Sequence, residues 1–464
     1  MIGLQRGIVA LYDHETEWVV NAAQTIEKLK RIFGSVATEI RHIGSTAIGQ
    51  IKAKPIIDIV VAVHDFAEVI NLVPLLEAEG FLYRPNGNLE NQLLFACGDY
   101  EHKDGKQTHF IHVVKKNSME YLNYINFCNY LNAKPTIAKQ YESLKISLAE
   151  TCKNDPGRER YLQGKADFIS YTLRKALVWS YLGKTVPITI DRPIGCVHPK
   201  HSEIIYPINY GYIEGVFGGD GEELDVYLLG IDKPLVTFTG RVIAIVHREN
   251  DVEDKLVAAP IGVCYSAEEI SQAVAFQEQF YISHVEVFSP KVIHILGAAG
   301  SGTTTLGKAI SEQYGFTHLD TDDFFWMPTN PRFTVKRNRS ERQEMLAKAI
   351  EKSEKCVISG SLCGWGDQFI PTFELVLYVD TPTDIRMERL NKRESERFGA
   401  RILPDGDMYN QHVAFLEWAR SYDTGDLDMR SFAMHMDWLK KIPCAIIRID
   451  GTEPLEPMLR KVGL

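Results

Sequence analysis

The chain has 464 residues, of which 45% are hydrophobic and 24% charged, with a net charge of −10. That length exceeds one ordinary domain and suggests about three, each with enough apolar sequence for its own core. The acidic balance and the lack of a Lys/Arg run exclude a general nucleic-acid-binding surface, and no stretch reaches the ~18 apolar residues of a membrane span. Eight scattered cysteines without a C-x-x-C pair, and an N-terminus whose short apolar run meets Asp13, lead to the expectation of a cytosolic protein with free thiols.

Two composition shifts place domain boundaries at about 180 and 289, giving domains over 1–180, 181–289 and 290–464. The first predicts a helix over 16–33, strands at "EIRHIG" and "PIIDIVVAV", a helix around 66–80, strands at "QLLFACG" and "HFIHVV", then mainly helix. The second opens on "KTVPITIDRP" and predicts strands at "DVYLLGI", "LVTFTGRVIAIVHR" and "KLVAAPIGV", with one helix near 266–279. After Ser289-Pro290 strand and helix alternate, which predicts a doubly wound parallel sheet. The expected fold class is therefore multidomain α/β.

In the first domain, "HIGSTAIGQIKAKPIIDIVVAV" sets Gly44-Ser45 before Lys52 and Lys54 and then a strand carrying Asp58. With the later "THFIHVV", "NYLNAKPTIAKQYESLK" and "YLQGKADFI", this segment resembles the GrpB family over about 1–175. The resemblance implies a nucleotidyltransferase-like α+β fold, in which a Gly-Ser turn holds phosphates and two carboxylates on one strand face hold Mg²⁺. The partner position of Asp58 is Val60, and "THFIHVV" offers His109 and His112. Two readings stand: a phosphate-ester or nucleotide site built from Ser45, Lys54, Asp58 as metal ligand and His112, or a binding module without transfer activity.

In the second domain, "YPINYGYIEGVFGGDGEELDVYLLG" places Asp220, Glu222 and Asp225 within six residues. Three close carboxylates repel one another unless a divalent cation neutralises them, and oxygen donors suit Mg²⁺ or Mn²⁺. "HRENDVEDKLVAAP" adds Asp251, Glu253, Asp254 and Lys255 before another strand. Together these runs are similar to soluble inorganic pyrophosphatases, folded as a small β-barrel. That resemblance implies Asp220, Asp225 and Asp254, with Asp251 beside them, as metal ligands. It implies Glu222 as the carboxylate that activates water, and Lys255 and Tyr210 as phosphate-holding residues. Glu222 stands where the family has aspartate, the second acidic cluster is displaced by about one residue, and the family's substrate-binding lysine and arginine have no clear counterpart.

In the third domain, "GAAGSGTTTLG" follows the strand-like "KVIHIL" and opens a helix, in a G-x-x-x-x-G frame from Gly297 to Gly302 through Gly300 and Ser301. Thr303 takes the place of the usual lysine, while Thr304 keeps the hydroxyl that faces Mg²⁺. Backbone N–H groups at a helix N-terminus bind phosphate without a lysine. "FTHLDTDDFFW" supplies Asp320 to place metal and Asp322 to grip an acceptor hydroxyl. Arg386, Arg389, Arg393, Arg397 and Arg401 recur at helical spacing. "VISGSLCGWGD" offers Ser359, Ser361 and Trp365 at the sheet edge where ligands sit. The domain resembles P-loop kinases of the adenylate/shikimate-kinase type, which implies ATP as phosphoryl donor and a small-molecule acceptor, with Asp322 and Arg393 catalytic.

The function expected is Mg²⁺-dependent phosphate transfer or hydrolysis on nucleotide or pyrophosphate. The alternative is a regulatory protein whose altered sites, at Val60 and Thr303 among others, bind without turnover.

Overall fold

The computed structural model describes residues 2–49, 51–99, 102, 105–153, 155, 158–199, 201–202, 204–263, 265–442 and 444–464. They divide into two compact units, residues 1–180 and 181–464.

The first unit is one six-stranded sheet with helices on both faces. Its strands are β1 (Leu4–Gln5), β2 (Ala37–Ile43), β3 (Ile57–Val63), β4 (Leu82–Tyr83), β5 (Gln92–Gly98) and β6 (Lys106–Lys115), with spatial order β2-β3-β6-β5-β4 and β1 pairing on β6. Helices α1 (Thr16–Phe33) and α2 (Phe66–Ala78) precede the bundle α3 (Met119–Ala133), α4 (Pro135–Thr151), α5 (Glu159–Gln163) and α6 (Ala166–Trp179). Only β3 and β6 run parallel, and both faces of β3 are covered. Ile57, Ile59, Val61 and Val63 enter one core with Leu29 and Phe33 of α1, whereas Val60 and Ala62 pack under Tyr121 and Ile125 of α3. This is why "IIDIVVAV" reads as an unbroken apolar run. Asp58 is the one polar side chain in that strand.

The second unit contains two sheets. Strands β7 (Thr185–Arg192), β8 (Asn209–Phe217), β9 (Glu223–Leu228), β10 (Thr237–Arg248) and β11 (Lys255–Ala259) pair in the order β11-β9-β8-β7-β10. A β10–β11 pairing closes the ring into a five-stranded barrel, and β12 (Ser283–Val287) lies on β10. Closure removes the unpaired edges that a short sheet would expose. Helix α7 (Ala267–Glu278) starts on a full capping box between Ser266 and Glu269 and turns Ile270 and Val274 into the barrel core.

The other sheet is wholly parallel: β13 (Val292–Gly297), β14 (Thr317–Asp320), β15 (Cys356–Ser359), β16 (Leu375–Asp380) and β17 (Ala445–Asp450), in spatial order β14-β15-β13-β16-β17. Around it run α8 (Thr303–Tyr314), α9 (Thr321–Phe325), α10 (Arg339–Lys352), α11 (Thr383–Phe398), α12 (Tyr409–Arg420), α13 (Phe432–Leu439) and α14 (Leu455–Val462). The connection from β13 runs toward β14 and that from the adjacent β16 runs the other way to β17, so the two diverge and open a crevice at the C-terminal end of β13. Among the described residues no helix is long and apolar enough to cross a membrane.

Candidate functional site

The crevice beyond β13 is built around the 297–302 turn. A Cβ on Gly297 would lie 2.5 Å from Ser301 Oγ and Val379 O, and one on Gly300 (φ +81°) would lie 2.8 Å from Arg386 O. The turn is therefore pressed against β16 and α11 so closely that only glycine fits. It delivers Thr303 and Thr304 to the first turn of α8, where backbone N–H groups have no intrahelical partner. Thr304 Oγ1 donates to Asp320 Oδ2 across 3.0 Å, and Asp320 Oδ1 accepts from Asp322 N at 3.0 Å. These hard-oxygen groups beside the turn fit a Mg²⁺ ion that also meets phosphate. Asp322 is exposed. Loss of solvent raises its pKa, the Asp320 charge adds to the rise, and Arg430 and Arg393 oppose it. Arg397 is held below its usual value by burial and by Arg393, with Asp322 opposing and Arg332 beside it. Asp322 thus sits among Arg393, Arg397 and Arg430.

The arginine stripe of α11 divides by depth. Arg386 is fully buried, and its guanidinium donates to Thr381 O (3.0 Å), Ala419 O (3.1 Å), Thr383 Oγ1 (2.7 Å) and Asp423 Oδ2 (3.1 Å). It braces α11 and is corrected from phosphate ligand to scaffold. Arg389 donates to Gly451 O (2.9 Å) and Ser301 O (3.4 Å), so it supports the turn from behind. Ser301 is buried with its N–H engaged by Ala298 O (3.1 Å), which removes it from the expected phosphate donors. Arg401, expected on the same helix face, lies beyond the end of α11 at Phe398 and forms a two-pronged pair with Asp407 at 2.9 and 2.6 Å. Ser359, Ser361 and Trp365 are also corrected: all three are buried. Ser359 Oγ meets His318 Nε2 (2.8 Å), Ser361 Oγ meets His435 Nε2 (3.1 Å), and Trp365 Nε1 donates to Ser361 O (3.2 Å).

The barrel carries a second group. The Lys255 ammonium bridges Asp225 and Glu253. Burial pushes Glu253 up to about 7, with Lys255 opposing and Asp225 and Asp220 adding to the rise. Glu253 Oε1 is buried without a hydrogen-bond partner. Tyr210 is buried, with its hydroxyl coupled to Asp225. Arg192, absent from the sequence-based set, places its guanidinium 5.0 Å from the Tyr210 ring and donates to Tyr206 OH at 3.1 Å. Asp220 Oδ1 accepts from Glu222 N at 2.9 Å on an exposed turn, and Glu222 remains exposed there. Asp254 and Asp251 are corrected. Asp254 Oδ2 meets His247 Nδ1 (2.7 Å), its Oδ1 accepts from Arg248 N (3.0 Å), and Asp251 Oδ2 accepts from Arg248 Nη1 (2.9 Å).

Alternate residues along extended chain face opposite sides, so Glu253 and Lys255 share one side and Asp254 takes the other. Among the described residues no three His, Cys, Asp or Glu side chains group so as to hold a metal, and the expected Asp220–Asp225–Asp254 set is not assembled. The two carboxylates that do converge are Asp225 and Glu253, and the Lys255 ammonium lies between them. The "NYG" run also has a scaffold role. Asn209 accepts from Ile194 N (3.1 Å) and donates to Lys233 O (3.0 Å), and a Cβ on Gly211 would lie 1.9 Å from Thr189 O.

In the first unit Asp58 lies on the Gly44–Ser45 turn: a Cβ on Gly44 (φ +70°) would meet its Oδ2 at 2.5 Å. His112 shares the Asp58 face, with Nε2 3.4 Å from Asp58 Oδ1 and Nδ1 3.1 Å from Tyr124 OH. His109 points to the other face, toward Thr25 Oγ1 at 3.2 Å, and burial pulls its pKa down to about 4. Ser45 lies near enough to the Tyr141 hydroxyl to favour its ionised form, and Lys54 Nζ stands 4.9 Å from the centre of the Tyr161 ring. Val60 is buried in the core, so this face presents one carboxylate and does not fit a two-metal site.

Residues 8–175 match the family model described as GrpB protein, and residues 293–403 match the one described as AAA domain. YqaC of Bacillus subtilis is 44% identical over 160 residues, 34% of this chain and 88% of its own. The glutamate-rich protein GrpB of Alkalihalophilus pseudofirmus is 35% identical over 178 residues, 38% of this chain and 99% of its own. A cytidylate kinase of Pyrococcus furiosus is 33% identical over 113 residues, 22% of this chain and 57% of its own. Among solved structures, an inorganic pyrophosphatase from Neisseria gonorrhoeae is 24% identical (TM-score 0.19; 23% of this chain, 82% of that one). A shikimate kinase from Bacteroides thetaiotaomicron is 16% identical (TM-score 0.26; 38% of this chain, 97% of that one).

Proposed function

The chain belongs to the GrpB family through residues 8–175, and on that premise we propose a Mg²⁺-dependent phosphotransferase fused to a pyrophosphatase-like barrel. Residues 290–464 transfer the γ-phosphoryl group of ATP to a hydroxyl of a small anionic acceptor. The observation that carries this reading is the 3.0 Å contact of Thr304 with Asp320 at the glycine turn, with Asp322 and its arginines alongside. Backbone N–H groups of the α8 N-terminus hold phosphate, and Thr304 and Asp320 would hold Mg²⁺, which supplies charge neutralisation when bound. Asp322, with its raised pKa, orients the acceptor hydroxyl and takes its proton as the new O–P bond forms and ADP leaves. Arg393, Arg397 and Arg430 offset charge on the transferring group and on the acceptor. The 33% identity to a cytidylate kinase supports a nucleotide-like acceptor. In the barrel, Asp225 and Glu253 would hold a divalent cation while Lys255, Tyr210 and Arg192 meet a phosphoanhydride.

A second reading, nucleotide or pyrophosphate binding without turnover, is favoured by Thr303 in place of lysine. One screen separates the two. The full chain is incubated with Mg²⁺, ATP or pyrophosphate and a panel of acceptors, and ADP and phosphate are followed. ADP formation that requires an acceptor and disappears in Asp322→Asn supports transfer. Tight ATP binding with no product across the panel supports the second reading.

A further inference from the structure

The first unit contains three lysines that its fold leaves without counter-ions. Lys145 and Lys165 are buried, at 1% and 8% exposure, and Lys54 is half-buried. None of the three makes an ion pair among the described residues. Their positions converge. Lys54 Nζ and Lys165 Nζ stand 4.9 and 4.8 Å from the centre of the same Tyr161 ring, so the two ammonium groups are no more than about 10 Å apart. Lys145 Nζ lies 4.7 Å from the centre of the Tyr141 ring, whose hydroxyl is within the influence of Ser45 of the Gly44–Ser45 turn. Among the described residues Lys145 has one acceptor, Lys52 O at 2.5 Å, and Lys54 and Lys165 have none.

Burying one ammonium without an anion is costly, and burying three side by side is more so. Burial, then repulsion by Lys165 and Arg158, pulls Lys54 down to about 7, with Asp58 opposing. Burial and Lys165 pull Lys145 to about 7, with Glu142 opposing. Burial lowers Lys165 against Asp58. Glu142 is itself engaged, accepting from Lys52 N and from Lys139 Nζ. Arg158 donates to the carbonyls of Ile8 and Gln5 and to Gln107. Among the described residues that leaves Asp58 as the one carboxylate set against three cations, an imbalance of two positive charges when all are protonated.

We propose that residues 1–180 hold a di- or triphosphate chain between Lys54, Lys145 and Lys165, with the Gly44–Ser45 turn as its floor. The phosphates supply the counter-charge the fold lacks. This site is independent of the reading given for residues 290–464. Asp58 and His112 border it, on the side where a group esterified to the phosphates would lie.

The test reads each lysine separately, so that binding elsewhere in the full chain does not confuse it. The intact protein is acetylated briefly with an N-hydroxysuccinimide ester at pH 7.5, alone or with pyrophosphate, triphosphate, ATP or adenosine, and modification is quantified per lysine by mass spectrometry. Lys54 and Lys165 are expected to lose about tenfold or more of their reactivity with a phosphate chain present, while adenosine protects neither and exposed Lys30 is unchanged. Protection by ATP and not by pyrophosphate or triphosphate identifies a nucleotide as the source of the chain; equal protection identifies the inorganic chain as sufficient. In Lys165→Met, protection of Lys54 should weaken at least about tenfold, and Lys165→Arg should keep it. Unchanged modification of Lys54 and Lys165 at millimolar pyrophosphate, triphosphate and ATP overturns the proposal, whether or not the variants fold.

Discussion

The Thr304 hydroxyl donates to the Asp320 carboxylate across 3.0 Å, tying the first turn of α8 to the end of β14. Both groups are hard-oxygen donors at the mouth of the 297–302 turn, so a joint role in holding a cation would be felt only with that cation present. Asp320→Asn is expected to lower ATP affinity in Mg²⁺ by about tenfold or more and to leave affinity in EDTA almost unchanged. Calorimetry with and without Mg²⁺ checks this, and an undiminished metal increment in the variant would remove Asp320 from the site.

Arg386 and Arg393 lie on one helix and should behave oppositely. Arg386→Ala leaves Thr381 O and Ala419 O without their donor and Asp423 without its cation, so a loss of about 3 kcal/mol or more of stability is expected. Arg393 is exposed and lies near Asp322. Arg393→Ala should leave the melting temperature almost unchanged and weaken triphosphate binding by one to two orders of magnitude, the equivalent of about 1.5–3 kcal/mol. Thermal melts and ATP titrations of both variants decide; a destabilised Arg393→Ala with normal binding would contradict this division.

This contrast shows what the sequence made legible. Spacing put the α11 arginines on related faces, yet nothing in a periodic pattern says that the Arg386 end of the helix is covered by Tyr422 and Asp423. The glycine turn, Asp320 and Asp322 were readable because a strand, a tight turn and a helix are local. Arg430 was not: it reaches Asp322 across more than a hundred residues. In the barrel, the acidic run before β11 was visible, but extended chain alternates faces, and a one-residue offset exchanges Asp254 for Glu253. Lys54 was readable beside the Gly44–Ser45 turn, but its partners were not, because Lys145 of α4 and Lys165 just before α6 reach it only through the fold.

That alternation gives a direct comparison in the barrel. Glu253→Gln should weaken Mg²⁺ binding and any pyrophosphate hydrolysis, because it removes a carboxylate beside Asp225. Asp254→Asn should leave both nearly intact and cost about 1–3 kcal/mol of stability, because His247 and Arg248 N lose their charged acceptor. Metal titrations and denaturant melts on the two variants measure the difference. Metal binding lost in Asp254→Asn alone would restore the original assignment.

The parallel-sheet domain should weaken in mild acid. His435 and His294 are fully buried, and burial first of all pulls them down to about 3 and about 4. Between those values and the ordinary 6.5, the unfolded chain binds protons that the folded chain refuses. Stability is therefore fully present above 6.5 and falls as pH drops below it, with a slope that approaches about 1.4 kcal/mol per pH unit for each histidine. Denaturant melts from pH 7.5 to 4.5 should show this decline, and a His435→Gln variant should decline less steeply. A parallel decline in the two proteins would mean that His435 titrates normally.

Thr303 is part-exposed in the first turn of α8, beside a glycine whose Cβ would have no neighbour nearer than Arg389 Nη1 at 3.9 Å. Space therefore permits a longer side chain. Thr303→Lys places a cation at a helix N-terminus, which costs about 0.3–1 kcal/mol when no anion is bound, so the free protein should melt slightly lower. Bound phosphate reverses that sign, and ATP affinity should rise by about tenfold through one charge-assisted hydrogen bond. The informative measurement is the double variant Thr303→Lys with Arg393→Ala. If Arg393 now serves the γ-phosphate that a lysine serves in other loops, the lysine should recover more affinity in the Arg393→Ala background than in the wild type. Strict additivity in ATP titrations would place the two side chains on different parts of the ligand, and Arg393 would then belong to the acceptor half of the crevice.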